Sequence, residues 1–277
     1  MYKSARSKIL INSLVVLCVI ITMFPLIWVF VLAFLPEHAM RTYPPQLIPD
    51  SLYLDNFKQV LASNIPLGMR NSLIVVTLAI SIVLVVSTFG SYGIARGSKK
   101  VRNAIYLLLL TTQMIPGVTN MVPLYRMMLS MDLLNTNIGL ALIYAAGSLP
   151  LAMLILIGFF QSSVRELEEA AMIDGCNWLN VFWRIAIPLS KPGIVSAVIF
   201  TFAAGWNEFM MSMLMINDRT MMTVQVTLYL FMMDAGMRHL RYGQLTAGAL
   251  FTLVPILIVY AIFQRGFVEG ISAGSVK

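Results

Sequence analysis

Apolar residues along this chain do not alternate with polar ones; they gather in long runs. Six runs stand out, at 9–35, 72–95, 104–130, 138–160, 193–216 and 244–264, each 21 to 27 residues long. A hydrocarbon core of about 30 Å takes about 20 helical residues at about 1.5 Å each, so every run predicts one transmembrane helix. The first run far exceeds the roughly 7–15 apolar residues of a secretory signal and has no small-x-small cleavage site behind it, so a retained span is expected. The pattern predicts an all-α polytopic membrane protein with six spans.

Polar and helix-breaking residues interrupt some runs. The third holds Gln113, Pro116, Gly117, Asn120 and Pro123; the fourth holds Pro150 and the sixth Pro255. Proline removes a helix donor and kinks the chain. A lone proline reads as an ordinary kink. The cluster in the third run points further, because irregular backbone at membrane depth survives only against protein or a water-filled cavity, as on a transport path. Glu208 is the one acid within a run, and such a residue is functional by default. Two readings stand for it: lining a cavity, or sitting near the outer interface in contact with water.

Composition narrows the classes. Of 277 residues, 59% are hydrophobic and 11% charged, and the mean hydropathy is +0.84. Soluble domains run at about 45–50% and about 25%. A soluble enzyme, a disordered chain and a nucleic-acid binder are excluded. The net charge of +7 is distributed unevenly. Twelve Lys and Arg fall on the side of the N-terminus, the 96–103 loop, the 162–192 loop and the C-terminus; seven fall opposite. Short loops follow the positive-inside rule best, and 96–103 carries four bases and no acid, so both termini are expected in the cytoplasm.

Other chemistries find little support. Cys18, Cys176, His38 and His239 are isolated, giving no disulfide framework and no metal ligand set. Nine methionines lie between 210 and 237. Such clusters can bind soft metals, but they far more often fill apolar gaps. The glycine cluster Gly90 to Gly97 is followed by Ser98, so no P-loop can form. No Ser/His/Asp set and no HExxH appears.

The 162–192 loop is the richest stretch. Ser163 and Glu166 fit a capping box opening a short helix. Gly175 can end it in the left-handed conformation. Asn177 can cap a second helix, with Trp178, Val181, Phe182 and Ile185 at helical spacing and Pro188 as its stop. Two short helices about a glycine turn make a cytoplasmic knob, or else an amphipathic linker on the headgroups. Four acids slightly disfavour the lipid surface.

Glu169-Ala170-Ala171, Asp174-Gly175, Phe182, Ile185 and Pro188 together resemble the EAA loop of ABC importer permeases, with Cys176 and Ile187 standing where alanine and leucine are usual. Pro123-Leu124-Tyr125, Leu133-Leu134-Asn135-Thr136, Gly139-Leu140, Gly205-Trp206-Asn207-Glu208-Phe209 and the tail from Gln264 are similar to the second permease of maltose-type and multiple-sugar importers. The resemblance implies a type I importer permease fold in a bacterial plasma membrane. It implies a second permease, two ATPase subunits and an extracytoplasmic sugar-binding protein as partners. ATP and Mg would be used by the ATPase, with no cofactor on this chain. Glu169, Ala170, Ala171, Asp174, Gly175, Phe182, Ile185 and Pro188 would couple to the ATPase, Glu169 by meeting it and Gly175 by making the turn. Asn120, Trp206, Asn207 and Glu208 are the candidate pathway residues. The expected organisation is an N-terminal span with outside loop (1–70), a permease core (71–265) and a cytoplasmic tail (266–277). An ion-coupled transporter or channel subunit is the first rival, with Glu208 as its ionisable group. An intramembrane enzyme is the second, lacking a catalytic set.

Overall fold

A computed structural model describes residues 5–40, 42–43, 51–162, 165–234 and 241–275, and these contain helices and no strand. In chain order the helices are α1 (Ala5–Ala33), α2 (Glu37–Met40), α3 (Asp55–Ala62), α4 (Ile65–Arg96) and α5 (Lys99–Gln113). A 3-10 turn (Gly117–Asn120) leads into α6 (Met121–Ser130) and α7 (Asn137–Ser162). Then come α8 (Arg165–Ile173), α9 (Trp178–Val181), a π-turn (Phe182–Ala186) and α10 (Ile187–Leu189). α11 (Lys191–Trp206), α12 (Met210–Met215), α13 (Val224–Asp234) and α14 (Tyr242–Ser275) complete the chain.

Four of these helices, within α1, α4, α7 and α14, are long and apolar enough to cross a bilayer unaided. Two bent pairs make up the six spans: α5 with the 117–130 segment, bent by 89°, and the 178–189 segment with α11, bent by 69°. The third apolar run is therefore not one rod. Pro116, lacking an N–H, stands at the break, and the chain restarts in the 3-10 turn. The fifth run is corrected too. α11 ends at Trp206, and Asn207, Glu208 and Phe209 separate it from α12. Pro150 and Pro255 lie inside unbroken helices. α13, within the methionine-rich stretch, was not apparent as an apolar run.

The chain divides into two compact units. One comprises Met1–Pro66 and Leu228–Val254. In it the Asn56 amide donates to the Ala33 and Leu35 carbonyls (2.9 and 3.0 Å), closing the open end of α1. Gly243 lies so close to Asn56 that a Cβ would collide with its amide. Over 11–28 α1 presents its side chains outward, with no buried position in its most apolar window.

The other unit comprises Leu67–Thr227 and Pro255–Lys277 and holds both sites described below. Its central seam is α7 against α11. Gly193, Ala197, Thr201 and Gly205 recur every fourth residue and are buried along α11. Small residues at that spacing let two helices approach closely in a membrane. Gly193 meets the Phe159 ring and Gly205 the Tyr144 ring.

Candidate functional site

The knob is built by local rules. α8 ends in a Schellman cap: Cys176 N–H donates to the Ala171 carbonyl (3.0 Å) and Gly175 N–H to that of Met172 (3.1 Å). Gly175 holds φ +89° with open space around it, so it is needed for its backbone and not for room. Asn177 then caps α9, its Oδ1 accepting from Asn180 N–H at 2.8 Å. Ser163 lies outside the described residues. The helix does not stop at Pro188. The π-turn, closed by Ile187 N–H on the Phe182 carbonyl, widens the backbone just before the proline. That relieves the ring's usual clash with the preceding turn. The bend comes after Leu189.

One face of the knob is held and another is presented. Glu168 is 1% exposed and is gripped by Arg96 at the end of α4. Arg96 Nε donates to Glu168 Oε2 at 2.7 Å and Nη2 to Oε1 at 2.5 Å. Its Nη1 donates to the Phe160 carbonyl at 2.9 Å, and Tyr92 O–H donates to Oε2 at 3.2 Å. Beside this pair Phe182 stacks on Phe89 (centroids 5.0 Å) and packs on Tyr92 (4.9 Å), in a core with Ala95, Leu156, Phe160 and Ala186. Ile185 joins that core's edge. Glu169, Ala170, Asp174, Gly175 and Pro188 are exposed and Ala171 is half-buried. Ile173 is 86% exposed, with Trp178, Leu179 and Trp183 also outward. The eight sequence-named residues thus divide into an outward set and an anchoring pair, Phe182 and Ile185. The principal anchors, Arg96 and Glu168, were missed. Four acids in one loop give no sign in the sequence of which turns inward, and Arg96 reads there only as a topology charge.

The second site is a cavity of about 980 Å³, lined by the end of α5, the 3-10 turn, the middle of α7 and the α11–α12 break. Its size lies at the top of the range of small-molecule sites. Asn120, Asn207 and Glu208 line it together with Gln113, Tyr144 and Ser148. Trp206 does not: it is buried, stacked on Phe202 at 5.4 Å. Glu208 is committed within the protein. Its Oε1 accepts from Met211 N–H (2.9 Å), and Oε2 accepts from Ser212 N–H (3.0 Å) and Tyr144 O–H (3.2 Å). It therefore caps α12 and fastens it to α7 while bordering the cavity.

Broken spans round a cavity, with a knob clamped to the ends of α4 and α7, describe a multi-pass membrane protein. The chain belongs to the family of binding-protein-dependent transport system inner membrane components, whose profile matches residues 87–272. It is 31% identical to the sulfoquinovosyl glycerol transport system permease protein of Agrobacterium fabrum, over 99% of this chain and 92% of that one. It is 35% identical to a probable ABC transporter permease protein of Bacillus subtilis, over 92% and 83%. It is 30% identical to the trehalose/maltose transport system permease protein of Thermococcus litoralis, over 100% and 99%. In fold it is similar to a solved bacterial ABC transporter involved in the import of alginate, with TM-score 0.79 and 20% identity over 96% and 99% of the two chains. The fold is the type I importer permease fold, in a bacterial inner membrane.

Proposed function

We propose that this chain is one permease half of an ATP-driven importer for a sugar or oligosaccharide. A second permease completes the pathway, two ATPase subunits dock from the cytoplasm and an external binding protein delivers substrate. The observation that carries the ATPase part is the knob itself: a rigid turn at Gly175 displaying Glu169, Asp174 and Ile173 away from the bundle. Exposed apolar side chains beside acids suit a protein partner better than water. The carbohydrate class rests on relatives named for trehalose/maltose, diacetylchitobiose and sulfoquinovosyl glycerol transport. With no P-loop in the sequence, ATP hydrolysis belongs to another chain.

An ion-coupled mechanism would ask Glu208 to ligate the ion. Both its oxygens already accept hydrogen bonds from protein, which weighs against that reading. The test is purification from the native membrane in mild detergent with mass spectrometry of the companions. A Walker-motif ATPase and a second permease are expected; recovery of this chain alone at every detergent strength would sink the proposal. Within the assembled complex, Glu169→Lys is expected to abolish uptake while the chain still reaches the membrane. Full uptake by that variant would remove Glu169 from coupling.

A further inference from the structure

The buried ion pair between α8 and α4 is not used by anything said so far about the knob's outward face. Glu168 sits one residue before Glu169, yet is sealed from solvent. Its two oxygens take three donors from α4: two guanidinium nitrogens of Arg96 and the hydroxyl of Tyr92. Arg96 also lies over the Tyr92 ring, 5.1 Å from its centroid, and reaches the Phe160 carbonyl near the end of α7. A two-point guanidinium–carboxylate contact fixes orientation as well as distance. The second leg of the knob is held by the same stretch of α4, through Phe182 against Phe89 and Tyr92. Both legs therefore meet the last two turns of α4, with Leu156 and Phe160 of α7 packed beside them.

We infer that Arg96 and Glu168 form a positioning clamp that makes the knob a rigid extension of α4, with Tyr92 as its brace. Pressure on the outward face of α8 reaches α4 through this contact, and α7 through the Arg96 bond to the Phe160 carbonyl. A hinged knob would swing under the same pressure and leave the span unmoved. This assignment deepens the ATPase-docking proposal and rests on it only for the source of the pressure; the clamp itself is a property of this chain.

The test uses the full chain in nanodiscs and the complex recovered from its native membrane. In the isolated chain, Glu168→Gln leaves Arg96 without its counter-charge. Amide hydrogen exchange over 166–173 is expected to speed up by on the order of a hundredfold relative to wild type, while α7 stays protected. Spin labels at Ile173 and Val86, both outward-facing, should broaden from one distance to several. In the complex the ATPase subunit remains bound and hydrolyses ATP, but substrate imported per ATP falls about tenfold or more, the scale of one lost hydrogen bond to a charged group. Restoring opposite charges by Arg96→Glu with Glu168→Arg recovers part of that ratio. Should Glu168→Gln fail to fold, Arg96→Lys keeps the charge but loses the second contact point, and is expected to lie between. Unchanged exchange, unchanged label distances and an unchanged import ratio in the folding variant would overturn the clamp. Absence of any ATPase companion would instead overturn the functional proposal, leaving the exchange and distance results to decide the clamp.

Discussion

Glu168 and Glu169 are identical side chains on adjacent residues, and they face different worlds. Successive helical residues point about 100° apart, so one carboxylate turns into the bundle and the next turns out. Burial makes the inward one energetically expensive to disturb. Removing it leaves a buried guanidinium unpaired, and Glu168→Ala is expected to cost about 3–5 kcal/mol, read as a lowered midpoint of thermal unfolding in detergent. Gly175 presents the opposite case. Nothing lies near the position of an added Cβ, so Gly175→Ala should cost only the left-handed backbone penalty of about 1–2 kcal/mol. The same unfolding measurement separates the two, and a larger Gly175→Ala effect would mean that the turn packs against something.

At the scale of elements, the breaks matter more than the rods. Two breaks border the cavity, the one between α5 and the 3-10 turn at Gln113–Gly117 and the one between α11 and α12 at Asn207–Phe209. The loops after α6 and α12 are stapled by short polar side chains. Asn135 sits at φ +55° and its Oδ1 accepts from Asn217 N–H (2.6 Å) and Asp218 N–H (3.2 Å). Asn135→Gly keeps the backbone conformation but loses the acceptor. It should cost about 1 kcal/mol and raise hydrogen exchange at 217 and 218, whereas Asn135→Asp should preserve protection there. Next to it, Thr220 donates to Asp218 from N–H and Oγ1–H (2.8 and 2.7 Å), and these bonds hold the carboxyl below its ordinary 3.8. A folded-state value below the unfolded one stabilises above the ordinary pKa and is lost as pH falls through the lowered value. The 218–220 turn should therefore stay protected on acidification until below the ordinary carboxylate range. Asp218→Asn should abolish that pH dependence of exchange.

On the scale of the whole molecule, orientation is a matter of charge and lipid. The bias of Lys and Arg towards one side predicts that the knob lies inside, and the two cysteines can report on it. Cys176 is exposed on the knob, and Cys18 is exposed on an apolar helix that belongs in the bilayer. A membrane-impermeant maleimide should label Cys176 in inverted vesicles and not in right-side-out ones, with Cys18 unlabelled in both. Labelling of Cys176 from outside would reverse the topology. Among the described residues, the most apolar window of α1 has no buried position, which fits a subunit that completes itself against lipid or a companion chain.

What could be read in one dimension was whatever the bilayer or the local backbone imposes in one dimension. Span length follows from hydrocarbon thickness, orientation from loop charge, and the Gly175 turn and Asn177 cap from rules that reach only a few residues. Those settled the class, six membrane crossings and the knob. The end of α11 at Trp206 was hidden because Asn207, Glu208 and Phe209 interrupt an otherwise apolar run without a proline. The Arg96–Glu168 pair was hidden because its partners lie 72 residues apart and look like ordinary surface charges in the sequence. Whether a charge is solvated, capping or clamped depends on what packs beside it, and for Glu168, Glu208 and Trp206 only the folding of the helices against one another decided it.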